Sequence, residues 1–214
     1  MCYSNNASKT SFLVNIITCF ILYNYAKTSY SKIFALFFTF VGLMQLYDWI
    51  FWENLSENNI NYIFTKIAMI SNHLQPIILA LLIYIIHGKL GNFSQIAIII
   101  YSIASLLYSI NAYNNINYTL VTDKSKPSLY WQWNDQPYSE ITYALFLISI
   151  GILCYENFNY PINLIFFLIN IISFFFASFY YKGKNVGRFW CYFASYVPLF
   201  VLLLQEITTT SFVS

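Results

Sequence analysis

Asn61-Tyr-Ile-Phe-Thr-Lys-Ile-Ala-Met-Ile-Ser-Asn-His-Leu-Gln-Pro-Ile-Ile-Leu-Ala-Leu-Leu-Ile-Tyr-Ile-Ile-His87 holds one formal charge, at Lys66, in an otherwise mostly apolar run. Crossing about 30 Å of hydrocarbon takes roughly 20 mostly apolar residues in a helix. The run exceeds that length. An open strand would leave backbone groups unpaired in lipid, so a helix is expected. Six more segments read the same way, at about 10–26, 32–52, 93–112, 139–155, 161–181 and 188–207. The expected fold is an all-α membrane protein: a seven-transmembrane helix bundle forming a single transmembrane domain over 1–214. Asn15 and Asn24 weaken the first segment, so six helices is the alternative count.

Composition points the same way. The chain has 214 residues, 59% hydrophobic and only 8% charged. Soluble domains carry about 25% charged residues. Twenty Tyr and five Trp suit a bilayer interface, where a ring has one apolar and one wet end. The net charge of +2 gives no reason to expect nucleic acid. The four cysteines show neither metal spacing nor a disulfide framework. No complete catalytic, nucleotide-binding or metal motif is present, so an enzyme is not expected. The expected partners are the lipid bilayer and a small ion or solute, and a homo-oligomer is compatible with the sequence.

The longest loop separates the fourth and fifth segments. Two β-prone arms, Asn117-Tyr-Thr-Leu-Val-Thr122 and Ser128-Leu-Tyr-Trp-Gln-Trp133, flank the turn-like Asp123-Lys-Ser-Lys-Pro127. They predict a small surface β-hairpin. Leu129, Trp131 and Trp133 share one face of its second arm, which is expected to rest on helix ends or headgroups.

Orientation signals conflict. The N-terminal side carries Lys9, Lys124, Lys126, Lys182, Lys184 and Arg188, and the other side Lys27, Lys32 and Lys89. The positive-inside rule places the first side in the cytoplasm. Glycosylation-type triplets at Asn6, Asn54 and Asn117 lie on that same side. The reading leans to an outside N-terminus.

Ionisable groups in a span cost roughly 2.5–3.5 kcal/mol on insertion scales, so they tend to face the bundle interior and pair. The second segment ends Met44-Gln-Leu-Tyr-Asp-Trp-Ile-Phe-Trp-Glu53, which puts Gln45, Asp48, Trp49, Trp52 and Glu53 on one helical face. Asp48 is read as a carboxylate in a polar cavity or as a structural pair, and Glu53 as an interfacial residue. In the third segment Asn72, His73 and Gln75 cluster beside Pro76. That proline removes a backbone hydrogen bond and crowds the Asn72 carbonyl. Lys66 is expected to snorkel to the surface or to pair with Asp48 or Glu53.

Three functions compete. The first is a channel or transporter whose polar core comprises Asp48, Gln45, His73, Asn72 and Gln75. The second is a receptor or chromophore binder whose aromatic pocket is lined by Trp49, Trp52, Trp190 and Tyr196. The third is a structural component of a viral or host membrane. Covalent retinal is not expected, because the last segment has no lysine for a Schiff base.

Four blocks, in order, carry a family resemblance: Met44-Gln-Leu-Tyr-Asp-Trp-Ile-Phe-Trp52, Asn72-His-Leu-Gln-Pro-Ile77, Leu129-Tyr-Trp-Gln-Trp133 and Gly187-Arg-Phe-Trp-Cys-Tyr-Phe-Ala194. The chain resembles an uncharacterised seven-helix membrane protein family of giant DNA viruses and some eukaryotes. The resemblance implies seven helices and a viral source. It implies no activity. In that group the second-helix acid is often Glu, so Asp48 is a departure or a shifted equivalent.

Overall fold

The computed structural model describes residues 4–26, 28–121, 129–159, 163, 164, 168, 172, 175 and 191–210. Five long helices come first: α1 (Asn5–Asn24), α2 (Ser29–Glu53), α3 (Asn59–His87), α4 (Asn92–Asn115) and α5 (Ser139–Asn157). Between α4 and α5 lie β1 (Leu120–Val121), β2 (Leu129–Tyr130) and a short 3-10 helix, Gln132–Asp135. A helical turn at 191–194 and a break at Ser195 and Tyr196 lead into α6 (Val197–Thr210).

Local chemistry sets the helix ends. Ser4, Thr28 and Asn58 cap α1, α2 and α3 by accepting from the amides of Ala7, Ser31 and Asn61. Gly88 ends α3 at φ 76°, a left-handed conformation natural to glycine. Pro198 falls in the first turn of α6, where its missing N–H costs no helical bond. The chain therefore breaks at Ser195 and Tyr196 and restarts as a helix just before this proline. At Pro76, by contrast, α3 is helical throughout.

Among the described residues four helices are long and apolar enough to cross a membrane: α2, α3, α4 and α5. They match four of the seven expected spans to within a few residues. The first expected span is helical but begins earlier, at Asn5. The sixth, 161–181, lies largely outside the described residues. The seventh appears in part, as the helical turn at 191–194 and α6, whose joint apolar stretch Cys191–Leu203 is shorter than a span.

Packing runs α1 on α2, α2 on α3, and α3 on both α4 and α5, with α6 closing against α1 and α2. On α1 and α4 the distribution of polarity is inverted relative to a water-soluble bundle. The buried face of α1 comprises Ser8, Ser11, Asn15, Thr18, Cys19 and Leu22. Its exposed face includes Leu13, Ile17 and Phe20, the last 70% exposed. On α4, Ile96, Ile99, Ile103 and Leu107 are exposed while Ser94, Tyr101, Ser105 and Tyr108 are buried. Large apolar side chains outside and hydroxyls inside suit a hydrocarbon solvent.

The hairpin is present, as an antiparallel pair with Leu120 opposite Tyr130 and Val121 opposite Leu129. Its second arm rests on the helices, as expected for that face. Leu129, Trp131 and Trp133 are each fully buried, seated among the helix ends.

Candidate functional site

Asp48 is 0% exposed, on the face of α2 that carries Gln45. The Trp131 indole donates to its Oδ1 at 3.0 Å. An indole from the loop thus meets this carboxylate, whereas the His73 ring makes no hydrogen bond to it. Trp131 stacks on Trp133, with ring centroids 4.9 Å apart and planes at 23°. The Trp133 carbonyl accepts from the Tyr108 hydroxyl of α4.

His73 sits at the far end of this chain of contacts, 1% exposed. Its ring packs edge-on to Tyr108 at 4.9 Å and tilted on Tyr143 at 5.3 Å. Neither ring nitrogen has a hydrogen-bond partner among the described residues. Beside it Asn72 donates to the Tyr143 hydroxyl at 2.6 Å, and Tyr143 donates to Asn134 Oδ1 at 2.8 Å. Asn72 also accepts from the Cys191 thiol, and Gln75 donates to that sulfur. The Tyr101 hydroxyl donates to the His73 carbonyl at 2.7 Å. It thereby supports the backbone next to Pro76 from α4.

Asp48 and His73 thus belong to one interior network without touching. Two tryptophans and two tyrosines lie between them. Two buried donors in this region have no partner among the described residues: Gln45 Nε2 and Asn134 Nδ2.

The remaining expected residues are placed differently. Lys66 is 6% exposed, so it does not snorkel, and it pairs with neither Asp48 nor Glu53. Its Nζ donates to the carbonyls of Tyr113 and Ile116 at the end of α4. It also lies over the Tyr62 and Tyr113 rings, at 5.0 and 4.6 Å. The physical reason is local: orphan carbonyls at a helix C-terminus attract a cation more strongly than a distant carboxylate does. Glu53 is exposed, accepting from Asn5 at 2.6 Å and from the Trp49 indole at 3.4 Å. Lys9 covers the Trp49 ring at 4.8 Å.

The expected aromatic pocket of Trp49, Trp52, Trp190 and Tyr196 is not assembled by the described contacts. Trp49 is engaged at the surface, and Tyr196 meets the Ser11 hydroxyl at 3.1 Å. Trp190 lies outside the described residues. The buried aromatic cluster is instead built from Trp131, Trp133, Tyr108 and Tyr143. Trp131 and Trp133 stand out in sequence as an alternating pair. The two tyrosines are hidden among twenty.

No protein-family model, no curated protein and no solved structure matches the chain.

Proposed function

We propose that the chain is a multi-pass integral membrane protein that moves a proton, small ion or small polar solute through the core between Asp48 and His73. The segment bearing Trp131 and Trp133 is its stopper. Membrane embedding is supported by four helices of spanning length and by the inverted polarity of α1 and α4. The single observation that carries transport is the set of buried polar atoms without a partner among the described residues, spread along the network that runs from the Asp48 carboxylate to His73. Native interiors leave few such atoms, and those that remain call for a functional partner. Here Gln45, His73 and Asn134 offer hydrogen bonds to a passing solute. Asp48 supplies the charge that favours a proton or cation, and intramembrane acids commonly mark such paths.

The Trp131–Trp133 stack lies between Asp48 and Tyr108, so conduction needs this segment to move. A purely structural reading predicts a core in which Asp48 and His73 satisfy each other. The indole and tyrosine contacts differ from that. The family resemblance belongs to this proposal as origin only and adds no activity.

The test is flux in liposomes reconstituted with the purified chain, using a pH-sensitive dye and then a panel of small cations. Asp48→Asn keeps the oxygen that accepts from Trp131 but removes the charge, and it is expected to abolish flux. Unchanged flux removes Asp48 from the mechanism. A wild-type chain that moves nothing in this panel sinks the transport reading.

A second reading has its own support. The rings of Trp131, Trp133, Tyr108 and Tyr143 surround the buried approach to His73, as an aromatic ligand site would. A co-purified ligand or visible absorption favours that reading over transport.

A further inference from the structure

A cavity of about 410 Å³ opens between α3 and α4, away from the Asp48 end of the network. That volume falls in the range of sites for single small ligands. Its rim is apolar and exposed, with Ile70, Leu74, Leu106 and Ile110 at 41%, 36%, 62% and 56%. Its floor differs. Ser102, Ser105 and Ser109 line it from α4, and His73 lines it from α3. Ser105 is engaged with the Tyr101 hydroxyl. Ser102 and Ser109 make no side-chain hydrogen bond among the described residues. They are seven residues apart, about 10 Å along the axis. His73 is the independent sign of a ligand: it is 1% exposed, it borders the cavity, and both ring nitrogens are unpaired among the described residues.

We infer that this groove binds a neutral, hydroxyl-bearing lipid of sterol size, taken from the hydrocarbon layer, with its hydroxyl on one of the two free floor serines, Ser102 or Ser109, on the wall that faces His73. The inference rests on the membrane embedding proposed above and not on transport. The charge of the site argues for neutrality. No Asp, Glu, Lys or Arg lines the cavity, so a phosphate or carboxylate head would go uncompensated. The shape argues against a helix from a second copy. Close helix contacts need small residues on the protruding ridge. Here the serines lie at the bottom and large aliphatic side chains stand at the edge. A single lipid can enter where a backbone cannot.

The test uses the purified full chain in nanodiscs with a photoactivatable sterol carrying a diazirine on its ring system. Labelled peptides are located by mass spectrometry. Label on α3 and α4 that is displaced by unlabelled sterol supports the site. Label elsewhere, or label that unlabelled sterol does not displace, overturns it. Ser102→Ala with Ser109→Ala is expected to reduce labelling about threefold to tenfold, the value of a lost neutral hydrogen bond. The matching Thr variants should restore it. Ile110→Trp, which fills the rim from an exposed position, should block it even if the floor variants fold poorly. Equal labelling by a diazirine fatty acid overturns the neutral specificity. Efficient disulfide formation between copies of a Leu106→Cys variant assigns the groove to a second chain instead. None of these readouts depends on flux, so the Asp48→Asn experiment and this one fail separately.

Discussion

Lys66 of α3 and Glu156 of α5 hold opposite ends of α4. At the C-terminal end the Lys66 ammonium donates to the Tyr113 and Ile116 carbonyls. At the N-terminal end Glu156 accepts from the Ser94 amide at 2.8 Å, the Ser94 hydroxyl at 2.7 Å and the Phe93 amide at 3.4 Å. Gly91, the N-cap, has no side chain to cap with. A Cβ there would lie 1.9 Å from Glu156 Cδ, so glycine is what admits the carboxylate. Anion at the N-terminus and cation at the C-terminus both suit the helix dipole.

The first prediction follows from this grip. α4 is the least buried of the four long apolar helices, so its ends carry more of its anchoring. Lys66→Met removes the donor to the buried Ile116 carbonyl and the part-buried Tyr113 carbonyl and should cost about 1–3 kcal/mol. Thermal unfolding in detergent measures it. A melting curve identical to wild type would show that the carbonyls find other donors.

The second concerns the contact between loop and bundle. Trp131→Phe keeps a ring to stack on Trp133 but deprives Asp48 of the indole N–H. A loss of about 1–3 kcal/mol is expected, because the acceptor is a buried carboxylate. Asp48→Asn in the Trp131→Phe background should recover part of that loss, since a neutral amide is cheaper to bury. Strictly additive effects in the double-mutant cycle would argue that the two residues are uncoupled.

These contacts also show where sequence reading stops. Helix positions were legible because hydropathy over a long window is a property of the segment itself. Burial of Asp48, Asn72, His73 and Gln75 was legible because a polar group in an apolar span has only the interior to face. Their partners were not. Nothing local to Asp48 indicates that an indole 83 residues away will meet it. Lys66 was misplaced because its distance from the helix start fits snorkelling, while the carbonyls that hold it belong to another helix. Glu156 drew no attention because its role depends on the amides of α4, which no side-chain pattern announces.

The third prediction tests the junction of α1, α2 and the last helical region. Asn15 donates to the Ser195 carbonyl at 3.0 Å, next to the backbone break before α6. Its side chain lies against Gly42, where an added Cβ would approach Oδ1 to 2.2 Å. Gly42→Ala should therefore destabilise by about 1–3 kcal/mol through overpacking. In an Asn15→Ala background the same substitution should be nearly neutral, because the clashing atoms are gone. Chemical or thermal unfolding of the four proteins decides the matter. An equal penalty in both backgrounds would place the strain elsewhere.

The fourth prediction concerns Asn61, whose side chain makes hydrogen bonds to Asn54, Thr65 and Thr119. Its amide donates to the carbonyls of Asn54 at 2.7 Å and Thr119 at 2.8 Å. Its Oδ1 accepts from the Thr119 amide at 2.9 Å and the Thr65 hydroxyl at 3.1 Å. One fully buried side chain thus ties the α2–α3 turn to the strand segment ahead of β1. Asn61→Ala leaves a buried amide and carbonyl at Thr119 without these partners, at about 1–3 kcal/mol for each orphaned group. The effect should be local, because the helices keep their own backbone bonds. Limited proteolysis is expected to cut between Ile116 and Leu129 much faster in the variant, with helical circular dichroism preserved. Equal cutting rates would mean that the Trp131 and Trp133 anchors alone hold the segment in place.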